Sequence, residues 1–187
     1  MTEFDDYLNL RDADLEGVRL VVFNGVSGSG KSTAIGWLLA HHPAYAGRPV
    51  THVAGRRGQW TLPAQHNGLV VVDDIVHARE LPRLAQLLAR GNTVLAAAHP
   101  HRAWFQPLRL RWRLRLFRTD TSREKLMRHL DARAIPYTRE AIDSFCDEYA
   151  ASYFDMNLIL GRYPDRSFDQ ALARFRRHCR MQPTRSV

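Results

Sequence analysis

Gly25-Val26-Ser27-Gly28-Ser29-Gly30-Lys31-Ser32, with Thr33 directly behind, places glycines, a lysine and a hydroxyl in the spacing G-x-x-x-x-G-K-[ST]. Glycines let a backbone wrap closely, so that the N–H groups from Gly25 to Thr33 can converge on an anion. A helix beginning near Lys31 would add its positive N-terminal end to the same anion. The Lys31 ammonium would reach the β- and γ-phosphates of a nucleotide, and the Ser32 hydroxyl would ligate Mg²⁺. A strand ahead of this turn and a helix behind it are the required context, and the flanking residues fit both.

Leu69-Val70-Val71-Val72 reads as a buried strand that runs directly into Asp73-Asp74. A carboxylate at the end of such a strand can hold the metal shell beside a phosphate, the role expected of Asp73. A second acid next to it can polarise an attacking water, the role expected of Asp74. The bland alternative for either aspartate is a helix N-cap. His99 ends the next strand, where it would either sense a γ-phosphate or bond a loop.

The elements that must position these residues follow from periodicity. Strands are expected at Arg19–Asn24, Val50–Val53, Leu69–Val72 and Thr93–Ala98, and helices at Lys31–His42 and Glu80–Arg90. Gly91 stands at a C-cap position. Leu108 to Leu116 alternates leucine or tryptophan with arginine, the pattern of a strand with one charged face. From Ser122 onward the pattern is helical, with helices expected at 123–133, 138–153 and 168–179. Strands alternating with helices argue a mainly parallel sheet, and the trailing helices a small helical appendage. The expected division is an acidic, loosely ordered lead-in over 1–17, a core over 18–119 and a helical lid or tail over 120–187.

Composition narrows the class. The 187 residues are 45% hydrophobic and 25% charged, as in globular proteins. No apolar run approaches the ~18 residues of a membrane span, and the acidic first residues do not resemble a signal peptide. Cys146 and Cys179 suit neither a disulfide framework nor a zinc cluster. A cytoplasmic protein without membrane contact is the expectation. Residues 1–100 hold nine basic and nine acidic side chains, whereas 101–187 hold 18 basic against 10 acidic, so the net charge of +8 is wholly C-terminal.

With the loop, the Asp73-Asp74 strand and the His99 strand in place, residues 18–118 resemble P-loop NTPases of the additional-strand ATPase division, which includes the AAA+ and ABC-type families. Val72-Asp73-Asp74-Ile75 and the segment from Arg123-Glu124-Lys125-Leu126 to Ala141-Ile142 resemble the Walker B strand and helical lid of AAA+ replication-initiator and helicase-loader ATPases. Gly91 to His99 resembles the strand and switch histidine of ABC ATPases, although no Leu-Ser-Gly-Gly-Gln signature is present. The glycine loop is also similar to that of small-molecule kinases such as gluconate kinases, for which Arg56-Arg57 would be an anionic-substrate site.

The resemblance implies a three-layer α/β fold and a hydrolase for ATP with Mg²⁺. Gly25, Val26, Ser27, Gly28, Ser29, Gly30, Lys31, Ser32 and Thr33 would hold the nucleotide, and Ser32 and Asp73 the metal. Lys31, Asp74 and His99 would be catalytic. So small an engine implies a protein partner or self-association. A small-molecule kinase and a nucleotide-gated adaptor with weak hydrolysis are the alternatives.

Residues 101–119 hold Arg102, Arg109, Arg111, Arg113, Arg115 and Arg118 with no acid. Three uses suit this row: pairing with acids of the helical tail such as Asp143, Asp147 and Glu148, non-specific contact with a nucleic acid backbone, or an arginine finger into a neighbour's nucleotide. Arg174, Arg176, Arg177, Arg180 and Arg185 form a second acid-free run, read as a solvated end.

Overall fold

The computed structural model describes residues 8–54, 61–99, 102–164 and 167–181. Arg56, Arg57, His101 and Arg185 lie outside the described residues, as does the side chain of Arg180. The chain divides into two compact units, Asp6–Asp120 and Thr121–Val187.

The first unit is an α/β structure around five parallel strands. In chain order they are β1 (Leu20–Asn24), β2 (Val50–Ala54), β3 (Leu69–Ile75), β4 (Thr93–Ala98) and β5 (Leu114–Arg118). Their spatial order is β2-β3-β4-β1-β5, and every neighbouring pair is parallel. Leu20–Asn24 lies opposite Val94–Ala98 on one side and Leu114–Arg118 on the other. Such central strands read as unbroken apolar runs because helices cover both faces.

Alternation assigns the two faces. Leu20, Val22, Val70, Val72, Val94 and Ala96 share a core with Leu84, Leu87 and Leu88 of α2 (Leu81–Ala89). Val21, Phe23, Val71, Leu95 and Ala97 point the opposite way and are equally buried. On that side Ala34, Ile35 and Leu38 of α1 (Lys31–His41) pack onto β1 and β4. Each strand therefore delivers its C-terminal end to one edge of the sheet.

The described part of the acidic lead-in is not loose. Leu10, Leu15 and Val18 are buried, and the carbonyl of Ala13 bonds His42 Nε2 at 3.1 Å. Three apolar side chains suffice to dock the segment despite its charge.

The alternating segment 108–116 is not one strand. Gln106–Arg109 forms a short helix, α3, with Pro107 in its first turn, and β5 starts only at Leu114. The Leu108 carbonyl accepts from the N–H groups of Arg111 and Trp112. Leu108 and Trp112, four residues apart, both join the core, whereas Leu110 is 91% exposed. Residues at i and i+4 satisfy a period of two and a helical turn alike, and Pro107 resolves the ambiguity towards the turn. Of the four arginines expected on one strand face, only Arg115 lies within β5.

The second unit holds α4 (Arg123–Ala132), α5 (Arg139–Tyr149), α6 (Tyr153–Arg162) and α7 (Phe168–Met181). Ser122, Thr138 and Ser152 cap the first three through their hydroxyls. Leu126, Leu130, Ile142, Phe145, Met156, Ile159, Phe168 and Leu172 form their shared core. The helix expected to run from 138 to 153 ends at Tyr149. Ala150 and Ala151 take positive φ angles of 50° and 54°, and Ser152 then caps α6, a helix that the sequence analysis does not expect.

Candidate functional site

The glycine loop joins β1 to α1 at the C-terminal edge of the sheet. Its shape is held from beneath by β5. A Cβ on Gly25 would lie 2.1 Å from the Thr119 carbonyl oxygen and 2.3 Å from its hydroxyl, so only glycine fits there. Ser29 Oγ donates to the Val26 carbonyl at 2.8 Å and meets the Thr119 hydroxyl at 2.7 Å. Ser29 and Thr119 are 1% and 2% exposed. The Ser29 hydroxyl thus braces the loop internally and does not face a ligand. Thr119 was missing from the sequence reading, since nothing in its neighbours relates it to a loop 90 residues earlier.

Gly30 stands at the N-cap of α1 with φ 84°, a left-handed conformation that a Cβ would strain. It supplies no side-chain cap, so the first-turn N–H groups of Lys31, Ser32 and Thr33 keep their hydrogens for a ligand. The Gly25 N–H, in contrast, is committed to the Ala98 carbonyl at 3.1 Å. The Ser29 N–H is likewise turned to the Val26 carbonyl, at 3.4 Å.

Lys31 folds back over this loop. Its Nζ donates to the carbonyls of Gly25 at 2.9 Å and Val26 at 2.7 Å, and the residue is 7% exposed. Burial pulls its ammonium below the ordinary lysine pKa, against the opposing pull of Asp74 and then Asp73. One positive charge is thereby held among carbonyl oxygens, facing two carboxylates.

Ser32 Oγ lies 3.3 and 3.4 Å from the two carboxylate oxygens of Asp73. Adjacent ligands of an octahedral magnesium ion at its usual 2.0–2.1 Å stand about 2.9 Å apart, so this oxygen pair suits Mg²⁺ with small movement. Among the described residues no group of three or more His, Cys, Asp or Glu side chains could hold a metal. Two protein oxygens are nonetheless a usual complement for Mg²⁺, which keeps waters and binds phosphate oxygens for the rest.

Asp74 does not cap a helix. It lies inside β3 at an irregularity of the β3–β4 ladder: Val72 pairs with Ala96 and Ile75 with Ala98, so two residues on β3 stand against one on β4. Asp74 takes φ 63° there, a region that aspartate tolerates better than most residues. The bulge puts its Oδ1 2.9 Å from His99 Nε2, while the His99 N–H donates to the Ile75 carbonyl at 2.9 Å. A carboxylate acceptor at Nε2 assigns the proton to that nitrogen. Beyond β3, the buried Glu80 accepts from the N–H groups of Val76 and His77 at 2.8 and 2.7 Å and fixes the chain that leaves the two aspartates.

The structure thus gathers Lys31, Ser32, Asp73, Asp74 and His99 at the ends of β1, β3 and β4, although they span 69 residues of chain. Their chemistry is that of an anion cradle beside a hard-cation site and an oriented carboxylate. Arg113, Asp143 and Glu148 each have an ion-pair partner within their own unit. Arg113 pairs with Asp14 at 3.0 Å, Asp143 lies 2.9 Å from Arg123, and Glu148 lies 2.7 Å from Arg176. No protein-family model matches the chain, and no curated protein matches it.

Proposed function

We propose that the chain binds and hydrolyses ATP with Mg²⁺, as a P-loop ATPase of the additional-strand kind, and uses the nucleotide cycle to change the conformation or assembly of a partner. The observation that carries this reading is the Ser32–Asp73 oxygen pair, its two members 3.3 Å apart, standing beside the Lys31 loop at one sheet edge. The strand order supports it as well: β4 stands as an extra strand between loop-bearing β1 and carboxylate-bearing β3.

In this reading Lys31 exchanges its two carbonyl partners for phosphate oxygens. A phosphate oxygen is a far better charge partner than a neutral carbonyl, so a bound nucleotide removes the burial penalty on the ammonium. The first-turn N–H groups of α1 bind the same phosphates along the helix axis. Ser32 and Asp73 would hold Mg²⁺, and the ion would supply charge neutralisation for the phosphates. Asp74 orients a water with the carboxylate oxygen that His99 leaves open, and His99 holds that carboxylate in its unusual backbone setting.

The deciding experiment measures phosphate release from ATP by the full chain with and without Mg²⁺. Metal-dependent release without any acceptor supports the proposal. Consumption of ATP only alongside a small molecule that becomes phosphorylated would make it a kinase, and ATP binding without turnover would make it an adaptor. Absence of nucleotide binding overturns all three.

A further inference from the structure

We propose that the corner of the first unit formed by Arg102–Phe105, α3 and the start of β5 binds single-stranded nucleic acid along its phosphate backbone. The chain has no acidic residue between Glu80 and Asp120, yet this stretch carries six arginines after residue 100. Arg113 is spoken for by Asp14 and the Glu16 carbonyl. Arg102, Arg109, Arg111, Arg115 and Arg118 are all exposed, and none has a carboxylate partner among the described residues. Arg111 and Arg115 instead stack over the rings of Trp112 and Phe117, at 5.2 and 5.8 Å from their centroids.

Five arginines without a carboxylate partner in one short segment repel one another, and a bound polyanion relieves the repulsion. Arginine suits phosphate because its planar fork donates two bonds at once and its face still stacks. Two exposed apolar side chains stand in the same corner: Trp104 at 43% and Leu110 at 91% exposure. An exposed indole carried by the same arginine-rich segment is a platform for an unpaired base. A duplex hides its base faces, and α3, with four residues, is too short to read a groove. An arginine finger needs one such side chain, and five are on offer. The binding expected is therefore single-stranded, sequence-tolerant and sensitive to salt. It depends on no feature of the nucleotide site.

The test is fluorescence anisotropy of a labelled single-stranded DNA of mixed sequence with the full chain, at about 50 and about 200 mM salt. Affinity should fall steeply between the two. The double substitution Arg109→Ala with Arg111→Ala should flatten the log–log salt slope by about 1.4, since each single-strand phosphate contact contributes about 0.7. Arg109→Lys with Arg111→Lys should retain the slope. Trp104→Ala should weaken binding on the order of tenfold with the slope unchanged, and Trp104→Phe should recover most of it. Thermal melts that match the parent keep these losses from being unfolding. Salt-insensitive or undetectable binding overturns the proposal. So does equal affinity for duplex, or arginine-dependent binding to phosphatidylserine vesicles without binding to the oligonucleotide.

Discussion

His99 Nε2 stands 2.9 Å from Asp74 Oδ1, joining the end of β4 to the bulge of β3 across the strand boundary. The contact gives Asp74 a fixed direction and keeps one carboxylate oxygen open. Asp74→Asn should bind ATP as the parent does and slow phosphate release on the order of 10²-fold, the usual size of a general-base effect. His99→Ala should slow release by less, and the double variant should be no slower than Asp74→Asn alone, because His99 acts through Asp74. Single-turnover phosphate release measures all three, and additive losses would separate the two residues.

Lys31→Ala should abolish turnover and weaken nucleotide binding, since the Gly25 and Val26 carbonyls then face the phosphates with no cation between them. The lowered pKa of Lys31 adds a pH signature in the parent. Phosphates raise that pKa on binding, so the complex takes up protons in the window between the free and bound values. Affinity should be greatest below the free value and fall as pH rises towards the bound one. Calorimetry in buffers of different ionisation enthalpy reads the proton uptake directly.

Gly25→Ala should disable the loop. The added methyl would overlap the backbone carbonyl of Thr119, which cannot rotate away as a side-chain tip could. A cost on the order of 1–3 kcal/mol is expected from such overpacking, together with loss of ATP binding. A melt and a nucleotide titration check the two together, and an unchanged affinity would show that Thr119 does not shape the cradle.

Tyr45 carries a buried hydroxyl with no hydrogen-bond partner among the described residues, and burial pushes its phenol pKa up to about 12. Tyr45→Phe should raise stability by about 1 kcal/mol, seen as a melting temperature about 2–4 °C higher. The sign with pH also follows. Above pH 10 the unfolded phenol loses its proton while the folded one keeps it, so the parent loses stability from about pH 10 to about 12. The Phe variant should lose correspondingly less over that window, and a lower melting temperature in the variant would assign the hydroxyl a partner.

Much of this architecture is local in origin and therefore legible in order along the chain. Apolar runs such as Leu69–Val72 and Val94–Ala98 become parallel strands because both of their faces are to be covered, and the glycine spacing of 25–30 dictates a tight turn whatever surrounds it. Leu108 to Trp112 is ambiguous for a physical reason: residues four apart obey strand and helix periods equally, and the helical turn that starts at Pro107 separates them. The break at Ala150-Ala151 was equally hidden, since alanine is a helix former and positive φ there is imposed from outside.

The site itself divides along the same line. That Lys31 and Ser32 open a helix behind a glycine turn, and that Asp73 follows a buried apolar run, is legible from spacing within a few residues. That Asp74 reaches His99, and that Ser29 turns inward to Thr119, depends on β4 and β5 flanking β1 and on one extra residue in β3. Strand neighbours 19 to 94 residues apart have no mark in a single sequence. Their order is decided by which hydrophobic faces can be buried together, a property of the whole sheet and of no segment in it.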